Sequence, residues 1–583
     1  MLWGSPTSAS ELPVRASFFS PLLFAALVFT PAVLPGQTYG VSVTALNPSP
    51  SALIYSTGNT YAFRVQNEGA QDTWTLTCSG ASSVLSVSCP SSVTLAQSQH
   101  QDVTVTYSTG NQGSGMLYLT ASSANSSDQG SVTVSVVLPA GAPRMTVLYL
   151  DGKQDLGRCA MSCFAATYAQ NTVPYFSLDA PRNVTLVYHG DRVAPKPFVA
   201  VDVFPDTTFG AWPSEYQLQV KVNGSLVTFL NNETLLRFQG TSGSTKYRLA
   251  GQFDATTLGL VHGTADTLEI LVTAVINSSS YTNRWVTQYL HIDEAKSPIG
   301  RGWTLSGIQR AFIVTGKGVL VTEGDGGATY FKYNPVTQVY DAPAGDFSTL
   351  SFVSPSWVRA YPDSTKVTFT GAGLMAKIAD RWGNRDTVLY DANSRVTSIK
   401  DPLSNAITLA YGTNGLATIT DPFGRVTTLT VQADSTLTAI KDPDSVSTTF
   451  GYDGARRLQS ITDRNGKTAT LAYLVINTKE TNKISTITPP SIPVFGGGSA
   501  SPVTTLSPWQ VKGVPYAATN ITPFTAPMTD SAYARVVEPG SLAATRFTVN
   551  RWGAPAVTTD TLGRRTTVTY TANGQPARIV LPL

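Results

Sequence analysis

Five aspartates, Asp380, Asp401, Asp421, Asp442 and Asp463, stand 21, 20, 21 and 21 residues apart, and this ladder restricts what the chain can fold into more than any other feature. The surrounding positions keep its phase. Two residues before each aspartate stands Ile378, Ile399, Ile419, Ile440 or Ile461, and five before it Met375, Val396, Leu416, Leu437 or Leu458. Three after it come Gly383, Ser404, Gly424, Ser445 and Gly466; ten after it come Tyr390, Tyr411, Val431, Tyr452 and Tyr473. Asp followed by Pro or Arg and then Gly or Ser suits a tight turn, because Asp bonds its own downstream amides and Gly tolerates positive φ. The isoleucines and tyrosines are the core candidates, each contributing about 1.5–3 kcal/mol when buried. One such hairpin is marginal alone, so successive units are expected to stack into a continuous sheet. The three-residue step from Leu416 to Ile419 breaks strict alternation and predicts a bulge before the turn.

The phase is lost after Tyr473 and returns at Asp560, Gly563 and Tyr570. The intervening run ITPPSIPVFGGGSASPVTTLSP, rich in Pro, Gly and Ser, makes 474–535 read as a loop-rich insertion. Residues 536–583 read as further repeats, truncated: Ile579 to Leu583 align with Ile399 to Leu403, so the array is expected to break off inside a turn. Either the gene product continues or another chain supplies the next strand.

Upstream, the 583 residues suggest three or four domains. Arg15 precedes an apolar run from Phe18 to Val33, interrupted by Pro21 and Pro31 and too short to span a bilayer, so 1–36 reads as a signal peptide cleaved near Gly36. Residues 40–138 alternate apolar and polar residues in short runs, which predicts an immunoglobulin-like β-sandwich with Trp74 in its core. A second β-sandwich region is expected over 143–296, as one domain or two; there Asn223-Gly224 between alternating runs predicts a hairpin. Residues 297–373 read as lead-in hairpins and 374–473 as the repeats. The fold class is therefore all-β, with sandwich modules in front of a repeat sheet. In an exported protein the local pairs Cys78 with Cys89, and Cys159 with Cys163, read as disulfides.

The chain resembles the Rhs/YD-repeat family, which includes bacterial Rhs proteins, toxin-complex proteins and the YD shell of teneurins. The residues that carry the resemblance are Gly415 to Val431, Thr438 to Tyr473, and the dipeptides Tyr390-Asp391, Tyr411-Gly412 and Tyr452-Asp453. The resemblance implies hairpins joined in a long sheet that spirals into a partial, hollow shell able to enclose another polypeptide. In family toxins the enzyme lies in a variable segment beyond the repeats, which is not present here.

Chemistry is sparse. With 40 Lys plus Arg against 37 Asp plus Glu, scattered along the chain, no footprint for nucleic acid or an anionic membrane is expected. His100, His189, His262 and His291 form no metal-ligand pair, and no nucleophile elbow, phosphate loop or dinucleotide fingerprint occurs. The acidic turns Asp442 to Asp444 and Glu323 to Asp325 could hold calcium but read better as hairpin turns. Catalytic residues, cofactors and metals are thus expected to be absent. The expected role is that of a secreted or cell-surface, non-enzymatic structural protein. Its partner would be another polypeptide, or the missing C-terminal continuation of its own chain, with no stable membrane span after signal removal. One alternative is a carbohydrate-binding adhesin using Trp303, Trp357, Trp382 and Trp552 as stacking platforms; another is the carrier part of a toxin whose toxin module is missing.

Overall fold

The computed structural model describes residues 38–150, 165–240, 242–243, 245–343, 346–476, 479–493, 498–510, 521–523, 532–537, 544–549, 555–571 and 576–582. The expected signal peptide, the Cys159 and Cys163 pair and Trp552 lie outside these residues. Apart from three single-turn 3-10 helices, every regular element described is a β-strand. Among the described residues no helix is long and apolar enough to cross a membrane.

Residues 41–137 form a two-sheet sandwich. One sheet has the order Val41–Ala45, Asn59–Asn67, His100–Thr109, Val84–Ser88; the other runs Ser51–Leu53, Ser127–Val137, Gly113–Ser122, Asp72–Ser82, Ser92–Leu95. Alternating burial along each strand turns Phe63, Val65, Val105, Leu117 and Val134 into a shared core. Trp74 lies in that core, and its indole Nε1 donates to Ser126 Oγ at 2.9 Å, so the ring is buried without an orphaned donor. Cys78 and Cys89 are bonded to each other and pack on the core's edge.

A second sandwich sets the sheet Arg144–Leu150, Phe198–Phe204, Tyr247–Gln252 against one built from Glu215–Val222, Leu236–Gln239, Thr264–Ile276 and Ser279–His291. These strands share one core, around Tyr216, Phe238, Tyr247 and Ile270. Asn223 and Gly224, at φ 49° and 85°, form the expected tight turn between Lys221–Val222 and Ser225–Leu226. The expected 143–296 region is nevertheless not uniform. Thr167–Asn171 and Thr185–His189 leave this sandwich, pair with each other, the second also with Trp303–Leu305, and contribute to the core of the repeat sheet. The reason is burial: Leu186, Tyr188 and Trp303 find their apolar surroundings there.

From Gln309–Val314 to Pro576–Val580, 24 strands follow one another in a single antiparallel meander. Its first strand does not end in solvent. Ala311 N donates to Gly373 O at 2.9 Å and Arg310 bridges Leu374, so the sheet curls until Gln309–Val314 meets the turn before Met375–Ala379. Gly373, at φ 79°, sits where an added Cβ would lie 1.8 Å from Ala311 O, which restricts the seam to glycine. Inside this closed stretch Arg359 is buried between Glu323 and Asp346, each at 2.8 Å, and stacks over Phe331 and Tyr361.

The region 474–535, expected to be a loop-rich insertion, keeps the sheet going. Thr468–Ile476, Lys479–Thr488, Thr504–Gln510 and Ala532–Val537 are successive neighbours in the meander. Backbone pairing does not require the repeat's side chains, so the motif can lapse where the ladder continues. Part of this stretch docks on the second sandwich, where Lys196 Nζ donates to Glu480 O at 2.7 Å and Gln252 Nε2 to Thr481 O at 3.3 Å.

Candidate functional site: the lined inner face of the repeat sheet

Each repeat is two strands and two turns. After Met375–Ala379 the chain turns through 380–384, where Asp380 Oδ1 accepts from Trp382 N and Asn384 N and Gly383 takes φ 89°. The same arrangement recurs at Asp401, Asp421, Asp463 and Asp560. Asp442 departs from it. Its side chain turns to Arg464 at 2.9 Å, its Oδ1 is buried without a hydrogen-bond partner, and burial raises its pKa. Arg464 also pairs with Asp444, so an arginine supplies the cation at the turn weighed for calcium. At the other weighed turn, Glu323 pairs with Arg359.

The opposite ends of the strands use a second aspartate turn that the ladder of five did not include. Asp391 Oδ1 accepts from Asn393 N and Arg395 N, and its Oδ2 from Arg395 Nε at 2.7 Å; Asp453 does the same with Ala455, and with Arg457 at 2.9 Å. The YD dipeptide followed four residues later by Arg is the signal that marks it.

Between the turns, Leu416, Leu437, Leu458 and Met375 are almost wholly buried, as are Ile419 and Ile440, whereas Ile378, Ile399 and Ile461 are partly buried. The expected bulge is present: Tyr411 pairs with Leu416 and Ala410 with Thr418, leaving Ala417 extra, and the same shift recurs in the neighbouring units. It brings the positions five and two before the aspartate onto one face. Val388, Leu409, Leu429 and Phe450, eight residues after each aspartate, share that face and are buried; they too were missing from the candidate core. Their alternation with the tyrosine two residues later was the available signal.

The tyrosines are half-buried and each closes a fifteen-residue step. Tyr390 Oη donates to Met375 O at 2.9 Å, Tyr411 to Val396 O at 3.0 Å, Tyr452 to Leu437 O at 2.8 Å, Tyr473 to Leu458 O at 2.6 Å and Tyr570 to Pro555 O at 2.8 Å. Burial pushes the Tyr411 hydroxyl up to about 12, and raises those of Tyr390, Tyr452 and Tyr473 further. They act as fixed donors, not as acids.

Val431 interrupts this ladder, and there the chain's own upstream segment reaches the sheet. Leu416 N donates to Pro298 O at 2.8 Å and Arg301 N to Ser435 O at 2.6 Å. A Cβ on Gly415 would lie 2.7 Å from Pro298 O and 3.1 Å from Val431 Cγ1, so both side chains are small where the segment crosses. Trp303 Nε1 then donates to Tyr452 Oη at 3.0 Å, and Leu458 N to Tyr188 Oη at 2.9 Å. Trp303 meets Phe450 edge-on at 4.9 Å, and Tyr168 meets both rings. Further along, Arg182 pairs with Asp386 at 2.9 Å, Tyr175 donates to Asp401 Oδ2 at 3.3 Å and Arg425 donates to Pro174 O at 2.7 Å.

This packing corrects the stacking-platform reading for two tryptophans. Trp303 and Trp357 are buried and have no face for a sugar, while Trp382 is exposed. Among the described residues no group of three His, Cys, Asp or Glu could hold a metal ion. His189 is buried and its Nε2 lies 3.1 Å from Thr304 Oγ1 and 3.2 Å from Gly324 O.

Residues 433–468 match the family model described as RHS Repeat. No curated protein matches the chain in sequence. Among solved structures, it is similar to TcdB2-TccC3 without its hypervariable C-terminal region at 13% identity and a TM-score of 0.25, covering 69% of this chain and 19% of that one. It is similar to the Photorhabdus luminescens Tc holotoxin pore at 11% identity and a TM-score of 0.25, covering 70% and 22%. Domains A168-A170 of titin match at 10% identity and a TM-score of 0.13, covering 44% of this chain and 68% of that one. The chain thus spans about a fifth of the length of the toxin-complex structures it matches.

Proposed function

We propose that this RHS-repeat chain is a non-enzymatic structural protein whose repeat sheet is the wall of a partial shell, with an inner face that holds polypeptide. One observation carries the reading: that face already binds a stretch of chain remote in sequence. Residues 165–193 and 297–305 are held by main-chain hydrogen bonds, by the Tyr452 hydroxyl of the ladder, by the Leu458 amide donating to Tyr188 and by aromatic packing. Backbone bonds read no particular sequence, so the same lining suits other extended segments. The partner is a further polypeptide, either separate or from the same gene product, and the sandwiches in front serve display outside the cell, as an exported protein requires.

The test is protease protection of the protein secreted by its own host, read by mass spectrometry. The expected result is a protected polypeptide in addition to residues 165–193 and 297–305, released by Leu458→Arg. Recovery of only this chain's described strands, with no second protected polypeptide, overturns the proposal.

A further inference from the structure

The connection between Thr504–Gln510 and Ala532–Val537 is longer than the sheet requires. Gln510 pairs with Tyr533, so the meander closes there, with residues 511–532 left between the two partners. Other neighbouring strands are joined by tight turns such as 380–384 and 391–395. A connection beyond about 12–15 residues usually has a function of its own. This one delivers a strand to another part of the molecule. Ile521–Pro523 pairs in parallel with Leu236–Gln239 of the second sandwich, Arg237 opposite Ile521, Phe238 opposite Thr522 and Gln239 opposite Pro523.

The edge that receives it is built in advance. Leu236–Gln239 is paired on its other side with Glu215–Val222, Leu236 and Phe238 are sunk in the sandwich core, and Arg237 is fixed to Glu215 at 3.1 Å. Ile521–Pro523 lies beyond it at the end of the sheet, covering main-chain donors and acceptors that an outermost strand leaves open. It covers them weakly. Three residue pairs make the whole ladder, and Pro523 has no amide with which to lengthen it. Nor is this strand the only tie between sandwich and repeat sheet, since Lys196 and Gln252 already hold the carbonyls of Glu480 and Thr481. A rigid edge under a short, separately tethered strand is an acceptor with an exchangeable occupant, because main-chain bonds supply the binding and other extended segments can make them.

We infer that the Leu236–Gln239 edge accepts an extended segment of a partner polypeptide, laid parallel to it, and that Ile521–Pro523 occupies the edge until the partner displaces it. The partner is selected by extended conformation and free amides, not by charge. The edge belongs to the second sandwich, so this binding is separate from that of the repeat sheet's inner face.

Amide hydrogen exchange and peptide binding test it, on the full chain and on a chain in which a four-residue glycine-serine linker replaces residues 512–530. The probe is a fluorescent peptide of residues 517–527, the chain's own strand with its flanks. Shortening is expected to speed exchange within Arg237–Gln239, and added peptide to restore protection. The shortened chain is expected to bind the peptide on the order of tenfold more tightly than the parent, whose edge is filled at the high effective concentration of a tethered strand. A peptide N-methylated at Ile521 and Thr522 is expected not to bind. Thr522→Pro in the full chain disrupts the resident strand without a deletion and is expected to give the same gain in exchange and binding, so the test stands even where the shortened chain fails to fold. The inference is overturned if exchange within Arg237–Gln239 is the same in parent and variants, if the variants do not bind the peptide, or if the N-methylated peptide binds like the unmodified one. Self-association of the variants in place of peptide binding would overturn it too, by assigning the edge to a second copy of the chain.

Discussion

Tyr452 Oη donates to the carbonyl of Leu437, fifteen residues upstream, at 2.8 Å, and in turn accepts from the indole of Trp303 at 3.0 Å. One hydroxyl thus ties two neighbouring strands together and fastens the segment that crosses them. Tyr452→Phe removes both bonds and leaves the buried Trp303 donor unpaired, so a loss of about 2–3 kcal/mol is expected in denaturant unfolding. Tyr411→Phe, which removes a ladder bond alone, is expected to cost about 1 kcal/mol. Equal losses for the two variants would refute the double role.

Val431→Tyr restores the ladder's residue type where the upstream segment crosses. Against Gly415 and Pro298 there is no room for the ring, so destabilisation by about 1–3 kcal/mol is expected, with faster proteolysis near Ile299. A stabilised variant would mean that the segment does not lie there.

Ile419→Asp places a charge where 3% of the side chain meets solvent. A loss of several kcal/mol is expected, about 3 or more, because burial strips the new carboxylate of water. An unchanged melting profile would remove this residue from the core.

The turn aspartates divide by pH. Hydrogen bonding from the Asn384 side chain leads in holding the Asp380 carboxyl below the usual range; the Arg395 amide leads for Asp391, and the Arg564 side chain for Asp560. Unfolded aspartates titrate near about 4, so this stabilisation is complete above that pH and is lost as pH falls through the folded values. Asp442 has the opposite sign. Burial raises its folded pKa, so its ionised form opposes folding above that value, and protonation relieves the opposition as pH falls toward the unfolded pKa. Asp380→Asn is expected to lower the melting temperature at neutral pH, and Asp442→Asn to leave it unchanged or raise it. Both differences should shrink in acid. A common response would show that the two turns share one environment.

Reducing the bond between Cys78 and Cys89 is expected to destabilise the first sandwich by about 2–3 kcal/mol, since it closes a short loop in the unfolded chain. Melting with and without reductant, compared with Cys78→Ala, checks this.

The sequence made the repeat legible where chemistry demands a particular residue every 20 or 21 positions. Asp421 must accept two amides, Gly424 must take positive φ, and Ile419 must be apolar. Val388, Leu409, Leu429 and Phe450 are not legible because any bulky apolar residue serves there; the dipeptides at Asp391 and Asp453 are visible, but not the turn that each aspartate closes with the arginine four residues on. The strand Lys479–Thr488 was hidden for another reason: main-chain pairing sustains it without the motif. Nor could local patterning place Tyr188 and Trp303. Their partners Leu458 and Tyr452 are 270 and 149 residues away, and only the tertiary fold brings them together.

The seam where Ala311 meets Gly373 gives the sheet a sealed origin. Elongation can then proceed in one direction only, each added hairpin resting on the last, and the width of the sheet becomes a matter of counting units. Inserting one whole period after Asp463 would widen the sheet while leaving its base intact, so its extent can change by gene duplication without redesigning a fold.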